Sequence, residues 1–286
     1  MLQSMFSGIS GLRSHQRRMD VVGNNIANVN TPGFKGSSVT FKDAYVTTLR
    51  APAPGTPGQQ VGLGVQVGGI NRNFSGGILM ETGQATNMAV SGEGFFVVAE
   101  RGAPATQNFY SRAGDFQLDV YDDGGGPQTY LINPDGMRLR GMLVGTLGDP
   151  PPDLTGVDES GFVDIVLPPD TTSFNIGLDG VIYVSVSGAS PQVWGRVALA
   201  RFDNTSALEA IGSNLFRTND AAGLRLYNNP GEAGTGQTFQ GYLENSNVDL
   251  AQEFSDMIIT QRGFQANSRS ITTSDEMLLE LLTLKR

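Results

Sequence analysis

The chain's single histidine, His15, has no acidic or nucleophilic cluster beside it in the sequence, and there is no cysteine. Thiolate nucleophiles, disulfides and cysteine-bound metals are therefore excluded. On an expected helix, a lone histidine reads as a structural or surface residue. Gly62-Leu63-Gly64 and Gly92-Glu93-Gly94 open a glycine-rich phosphate-loop pattern, but Val67 and Val97 stand where the third glycine belongs, so both read as turns. Asp119, Asp122 and Asp123 crowd one loop at offsets that do not match the alternating oxygen ligands of a calcium loop, which leaves at most weak cation binding. No catalytic, cofactor-binding or metal-ligating residue is assigned, and the chain is expected not to be an enzyme. The rival from another class is a carbohydrate-binding or hydrolytic β domain with helical arms, whose carboxylates would gather in a cleft among the 28 acidic residues.

Charge narrows the partners. Residues 43–248 hold 10 basic and 21 acidic side chains and so carry most of the net charge of −9. Nucleic-acid binders need a basic face, and the one basic cluster, Arg13, Arg17 and Arg18, falls on a helix expected to pack against protein, so no nucleic acid is expected. No stretch approaches the ~20 apolar residues of a membrane span, and the N-terminal run lacks the leader and apolar core of a secretory signal. Membrane insertion is not expected, and any export would use another route.

The elements that must position these groups lie mostly at the two ends. Stepping alternately by four and three residues from Met5 gives Ile9, Leu12, Gln16, Met19, Gly23 and Ile26. The same stepping from Leu250 gives Phe254, Met257, Gln261, Phe264, Ser268, Ile271, Asp275, Leu278 and Leu282. Both are imperfect heptad seams, and a narrow apolar stripe needs a partner helix. Residues 1–42 carry five basic side chains against one acidic, whereas residues 249–286 carry six acidic against four basic, so the two ends attract each other. Each exposed pair contributes only about 0.2–1 kcal/mol, so burial of the seam must supply most of the affinity.

The first helix is expected to run to about Val29 and stop at Asn30, Pro32 and Gly33. The proline- and glycine-rich stretch 50–58 reads as a linker or exposed loop. From Val61 short apolar or alternating runs follow one another, with Asp135-Gly136 and Asp179-Gly180 as hairpin-type turns. From Asn245 the period turns helical again, with Asn247 or Asp249 as the cap of a helix of roughly 33 residues. The expected fold is α+β: a mainly-β central domain flanked by N- and C-terminal helices that pair as a coiled coil. Residues 1–30 with 249–286 form the helical domain, 31–60 an extended linker and 61–248 the β-rich domain. Asn24, Asn25, Asn28 and Asn30 cost helix propensity, which register-fixing hydrogen bonds would offset; fraying and capping near the helix end is the other reading.

The run MFSGISGLRSHQRRMDVVGNNIANVNTPGFKGSSVTF resembles the start of bacterial flagellar rod and hook proteins, with NNIANVNTPGFK as the hallmark. MAVSGEGFFVV, FYSRAGDFQLD and LINPDGMRLRGM follow in that family's usual order, and the run from Gly241 resembles its C-terminal helix. The terminal texture is more similar to hook subunits, although the short interval between Gly141 and Ile176 matches compact distal rod subunits. The resemblance implies a hook subunit that polymerises helically into a flexible tube, with distal rod as the alternative. It implies a place in the hook-basal body, reached by type III export without a cleaved signal peptide. The partners implied are the chain itself, rod, hook-cap and hook-filament junction proteins, and the export apparatus. No cofactor is implied. Assembly residues would then be Met5, Ile9, Leu12, Met19, Asn24, Asn25, Ile26, Asn28, Leu250, Phe254, Met257, Phe264, Ile271, Leu278 and Leu282, with Phe6, Val22, Val29, Ile258 and Leu281 left for neighbouring subunits.

Overall fold

The first helix, α1 (Leu2–Ala27), stops where asparagine takes over its last carbonyls. The Asn28 side-chain amide donates to the Asn24 carbonyl at 2.9 Å, and the Asn28 backbone N–H donates to the same oxygen at 3.1 Å. The computed structural model describes residues 2–51, 57–104, 106–122, 126–144, 149–154, 161–168, 170–186, 190–219, 223, 225–232 and 234–284. Most of the 50–58 stretch, together with Asp123, Gly124 and the terminal Lys285 and Arg286, lies outside them. The contacts divide the chain into two units: residues 1–29, 35–73 and 248–286, and residues 30–34 with 74–247.

The first unit pairs α1 with α2 (Leu250–Leu284), which Asp249 starts by accepting the Ala251 and Gln252 amides on its side chain, the former at 2.8 Å. Four strands complete it: β1 (Ser37–Asp43), β2 (Val46–Arg50), β3 (Gln59–Gly62) and β4 (Val65–Arg72). β1 and β4 run antiparallel from Ser37 opposite Arg72 to Asp43 opposite Val65, and β2 and β3 continue the ribbon. Residues 31–60, expected as an extended linker, thus hold two strands and the start of a third, and residues 35–73 group with the helices. The helical boundary expected at 30 does not coincide with the observed division because the β1–β4 pair packs on α1.

The second unit is built around the strand Phe95–Ala99, every residue of which is buried. Its alternate side chains face opposite ways: Phe96 and Val98 join a core with Leu131, Leu139 and Val197, whereas Phe95 and Val97 join one with Tyr110, Phe202 and Phe216. Burial on both faces explains why GFFVV is continuously apolar instead of alternating. This strand lies in an antiparallel sheet whose order runs through 171–176, 181–186, 192–197, 138–143, 95–99, 109–111, 215–217 and 209–212. Gly136 and Gly180 both adopt positive φ at their turns, 80° and 72°. The architecture is α+β, a mainly-β central body with a helix at each end of the chain.

Candidate assembly interface

The two terminal helices run antiparallel, and their contacts fix a register. Ser4 meets Ser274 through their hydroxyls at 3.2 Å, and Asn25 donates to the Glu253 carboxylate at 2.8 Å. Between these ends, a Cβ added at Gly8 would come 2.9 Å from Ile271 Cγ1, one at Gly11 2.7 Å from the Asn267 amide, and one at Gly263 2.6 Å from His15 Cε1. Residue n of α1 therefore faces a residue close to 278 − n of α2. The helices approach so closely that glycine and serine are required along the line of contact. Thr260 and Ser274 are the fully buried residues of α2, and Val22 and Asn25 are buried on α1.

The facing line on α1 is Ser4, Gly8, Gly11, His15, Arg18, Val22 and Asn25, and on α2 it includes Glu253, Asp256, Thr260, Gly263, Asn267 and Ser274. The expected apolar seams have the same heptad spacing but stand one residue later, a rotation of about 100° around each helix. Ile9, Leu250, Phe254, Phe264 and Leu282 are accordingly exposed, Phe254 at 51% and Leu282 at 67%, while Met5, Leu12, Met19, Ile26, Met257, Ile271 and Leu278 are half-buried. Val22, expected to be left for neighbours, lies inside the chain's own seam, and Val29 is half-buried; Phe6, Ile258 and Leu281 are exposed. The signal for the true phase was the glycines themselves, since Gly8, Gly11 and Gly263 lower helix propensity and so need a packing reason.

Asn25 holds three partners at once. Its amide donates to Ser37 O at 2.8 Å as well as to Glu253, and its carbonyl accepts the Ser37 N–H at 3.0 Å. It ties α1, α2 and the start of β1 together. Asn24 and Asn30 are exposed and Asn28 closes the helix end. Two turns before Asn25, Arg18 pairs with Asp256 at 3.0 Å. Burial raises the Glu253 pKa, partly offset by the hydrogen bond from Asn25. His15 packs edge-on to Phe41 at 5.6 Å between ring centroids, and its Nδ1 is buried with no hydrogen-bond partner. Burial first, and the Arg18 charge second, hold its pKa below the ordinary 6.5.

The other side of α1 is fixed to the turn between β3 and β4. Gly64, at φ 118°, has no room for a Cβ, which would sit 2.1 Å from Ser10 Oγ. That hydroxyl accepts the Val65 N–H at 3.2 Å and donates to Ser7 O at 2.8 Å, while Ser14 donates to Val65 O at 3.3 Å.

Within the second unit, the hallmark segment 30–34 has its own seat. Gly33, at φ 69°, donates its N–H to Glu244 O at 2.7 Å, and an added Cβ would meet Ala113 N at 2.5 Å. Asn214 donates to Pro32 O at 2.9 Å. Beneath it lies a buried ion pair, Arg112 with Glu244 at 3.3 Å, in which Arg112 also donates to Gly92 O and Glu244 accepts the Gly77 N–H at 2.8 Å. Burial pushes the Arg112 pKa down and Glu244 pushes it back up. In LINPDGMRLRGM, Asn133 accepts the Asp135 and Met137 amides, and Arg138 and Arg140 converge on Asp164 at 3.2 Å each. These motif residues build turns and buried ion pairs. Among the described residues there is no group of three or more His, Cys, Asp or Glu placed to hold a metal ion, and no helix long and apolar enough to cross a membrane.

Three family models match in order along the chain: "Flagella basal body rod protein" over residues 5–35, "Flagellar hook protein FlgE/F/G D1 domain" over 89–184, and "Flagellar basal body rod FlgEFG protein C-terminal" over 240–284. The chain is 41% identical to the flagellar basal-body rod protein FlgG of Bacillus subtilis, over 293 positions that cover all of both chains. It belongs to the flagellar rod and hook protein family. The FlgG of Borreliella burgdorferi is 31% identical over 296 positions, again covering both chains completely. The flagellar hook protein FlgE of the same organism is 28% identical, and aligning it takes 453 positions.

That contrast corrects the expected hook assignment. Rod relatives match at higher identity and nearly equal length, whereas the hook relative carries long additional sequence. Here the stretch between the strands 138–143 and 171–176 contains, among its described residues, two further strands of two residues each, 163–164 and 166–167. The terminal runs misled because they are the part shared across the family; length was the discriminating signal. Family membership assigns the chain to the bacterial flagellum and to motility.

Proposed function

We propose that this chain is a structural subunit of the flagellar rod, in its distal part, and acts as a stiff tubular shaft segment without catalysis. The supporting observation is that both terminal helices spend their small and polar residues on each other and turn apolar ones outward. Phe6, Ile9, Phe254, Ile258 and Leu282 are exposed in the single chain. An apolar surface of that kind on two long helices is hidden by neighbours of the same sort. Contacts between different patches of identical subunits generate an open helical tube when their rotation does not close a ring.

The remaining expected assembly residues, from Met5 and Leu12 to Ile271 and Leu278, contribute the edges of these faces, and Asn25 sets the helix register on which the faces depend. The chain's partners are further copies of itself, neighbouring rod proteins and the hook subunits that follow, and it reaches them through the flagellar export apparatus. Negative-stain electron microscopy of basal bodies from cells lacking this chain tests the reading. Shortened rods without hooks are expected; rods of full length would overturn it.

A further inference from the structure

The helix register has a consequence at the chain's C-terminal end. Because residue n of α1 faces a residue close to 278 − n, Leu2 stands opposite residue 276, and α2 continues for two more turns with no α1 beside it. Those turns, residues 277–284, carry Leu279, Leu281, Leu282 and Leu284, all exposed, the last at 81%. Glu280 lies among them, and Asp275 and Glu276 lie just before.

The same unit has a groove of about 360 Å³ between α1 and the turn at 63–67. Its apolar walls are Phe6, Ile9, Leu63 and Val67, and Arg13 and Arg17 stand at its edge. The turn is held against α1 by the Ser10 and Ser14 hydrogen bonds to Val65, so the groove is formed before anything enters it. From Phe6 to Arg17 it spans about 16 Å along the helix, enough for the roughly 10 Å between residues 277 and 284.

We propose that this groove receives residues 277–284 of α2 from a second copy of the chain, with Arg13 and Arg17 facing Glu280 and the acidic pair before it. This rests on the rod reading above. The two patches cannot meet within one chain: Phe6 faces the neighbourhood of residue 272, ten residues short of Leu282, which is about 15 Å along the axis. The contact joins unlike surfaces, so each copy donates one segment and accepts another, as a helical series of subunits requires.

The cysteine-free sequence gives a clean test. Basal bodies are purified from cells whose only copy is the double variant Phe6→Cys/Leu282→Cys, oxidised, and run on a non-reducing gel. A ladder of covalently linked chains is expected, with no ladder from either single variant, because a disulfide requires Cα atoms within about 7 Å. Should the double variant fail to build rods, it is co-expressed with the unaltered chain, and linked dimers in the mixed rods replace the ladder as the expected result. Rods that contain the chain but yield no links from this pair or from Ile9→Cys/Leu279→Cys would overturn the proposal, as would dimers from Leu282→Cys alone. Absence of the unaltered chain from purified rods would instead remove the rod reading itself.

Discussion

A single side chain, Asn25, carries much of the organisation of the helical unit. It is buried to 2% exposure and has every polar atom engaged, with α2 on one side and β1 on the other. Replacing it by Leu leaves the Ser37 N–H and carbonyl unpaired and takes from Glu253 the hydrogen bond that offsets its burial. Each orphaned buried group costs about 1–3 kcal/mol, so Asn25→Leu is expected to lower stability by roughly 3 kcal/mol in urea unfolding of the monomer. An unchanged midpoint would show that Asn25 is not the tie described. His15 gives a pH dependence. Its folded pKa lies below 6.5, so as pH falls the unfolded chain takes the proton first. Stability from burying the neutral ring is complete above pH 6.5 and is lost as pH falls through the lower folded value. Glu253 and Asp115, both raised chiefly by burial, act in the opposite sense, since their cost as carboxylates is relieved as pH falls toward their ordinary values. The melting temperature should therefore drop from pH 7.5 to 5.5 in the native chain and drop less in His15→Gln; equal drops would sink the assignment to His15.

At the scale of elements, the sequence announced two helices, their partnership and a β body between them, because period and turn chemistry are local properties. Asp135-Gly136 and Asp179-Gly180 stand at turns because the positive φ needed there is a demand only glycine meets cheaply. Phase was not legible in the apolar residues, only in the glycines. A heptad reading follows the apolar residues, but in this pair the chain's own partner takes the small residues and leaves the apolar ones outside, an order that makes sense only with a second copy in view. Ser38–Phe41 and the run 64–70 read as β-type in the sequence, but their pairing as β1 and β4 did not, since it spans the proline-rich stretch, and the fully exposed β2 and β3 between them carry no apolar alternation. The glycines separate the two faces experimentally. Gly23 has nothing within 4 Å of where its Cβ would stand, so Gly23→Ala is expected to stabilise the monomer by about 0.5–1 kcal/mol through helix propensity alone. Gly263→Ala forces the His15 ring away from Phe41 and is expected to destabilise by about 1–3 kcal/mol. If thermal melts rank these two the other way, the contact line is misplaced.

For the molecule as a whole, the decisive asymmetry is between a unit that buries its own core and one that leaves large apolar side chains of its helices exposed. The β-rich unit hides Phe95, Phe96, Val97, Val98 and their neighbours completely, on both faces of one sheet. Its stability should not depend on polymerisation. A fragment of residues 74–247 is therefore expected to fold and melt cooperatively, with near-ultraviolet circular dichroism from its buried aromatics. It should stay monomeric in light scattering at concentrations where the full chain associates. It should also be less stable than the full chain by more than the loss of the helices alone would suggest, because segment 30–34 belongs to this unit. Without that segment the Glu244 carbonyl loses the Gly33 N–H and the Asn214 amide loses Pro32 O, close to the buried Arg112–Glu244 pair. Extending the fragment by a flexible linker that restores residues 30–34 should recover about 1–2 kcal/mol, the worth of two such hydrogen bonds. A fragment equally stable with and without it would mean that the hallmark turn serves the helices and not the body on which it is seated.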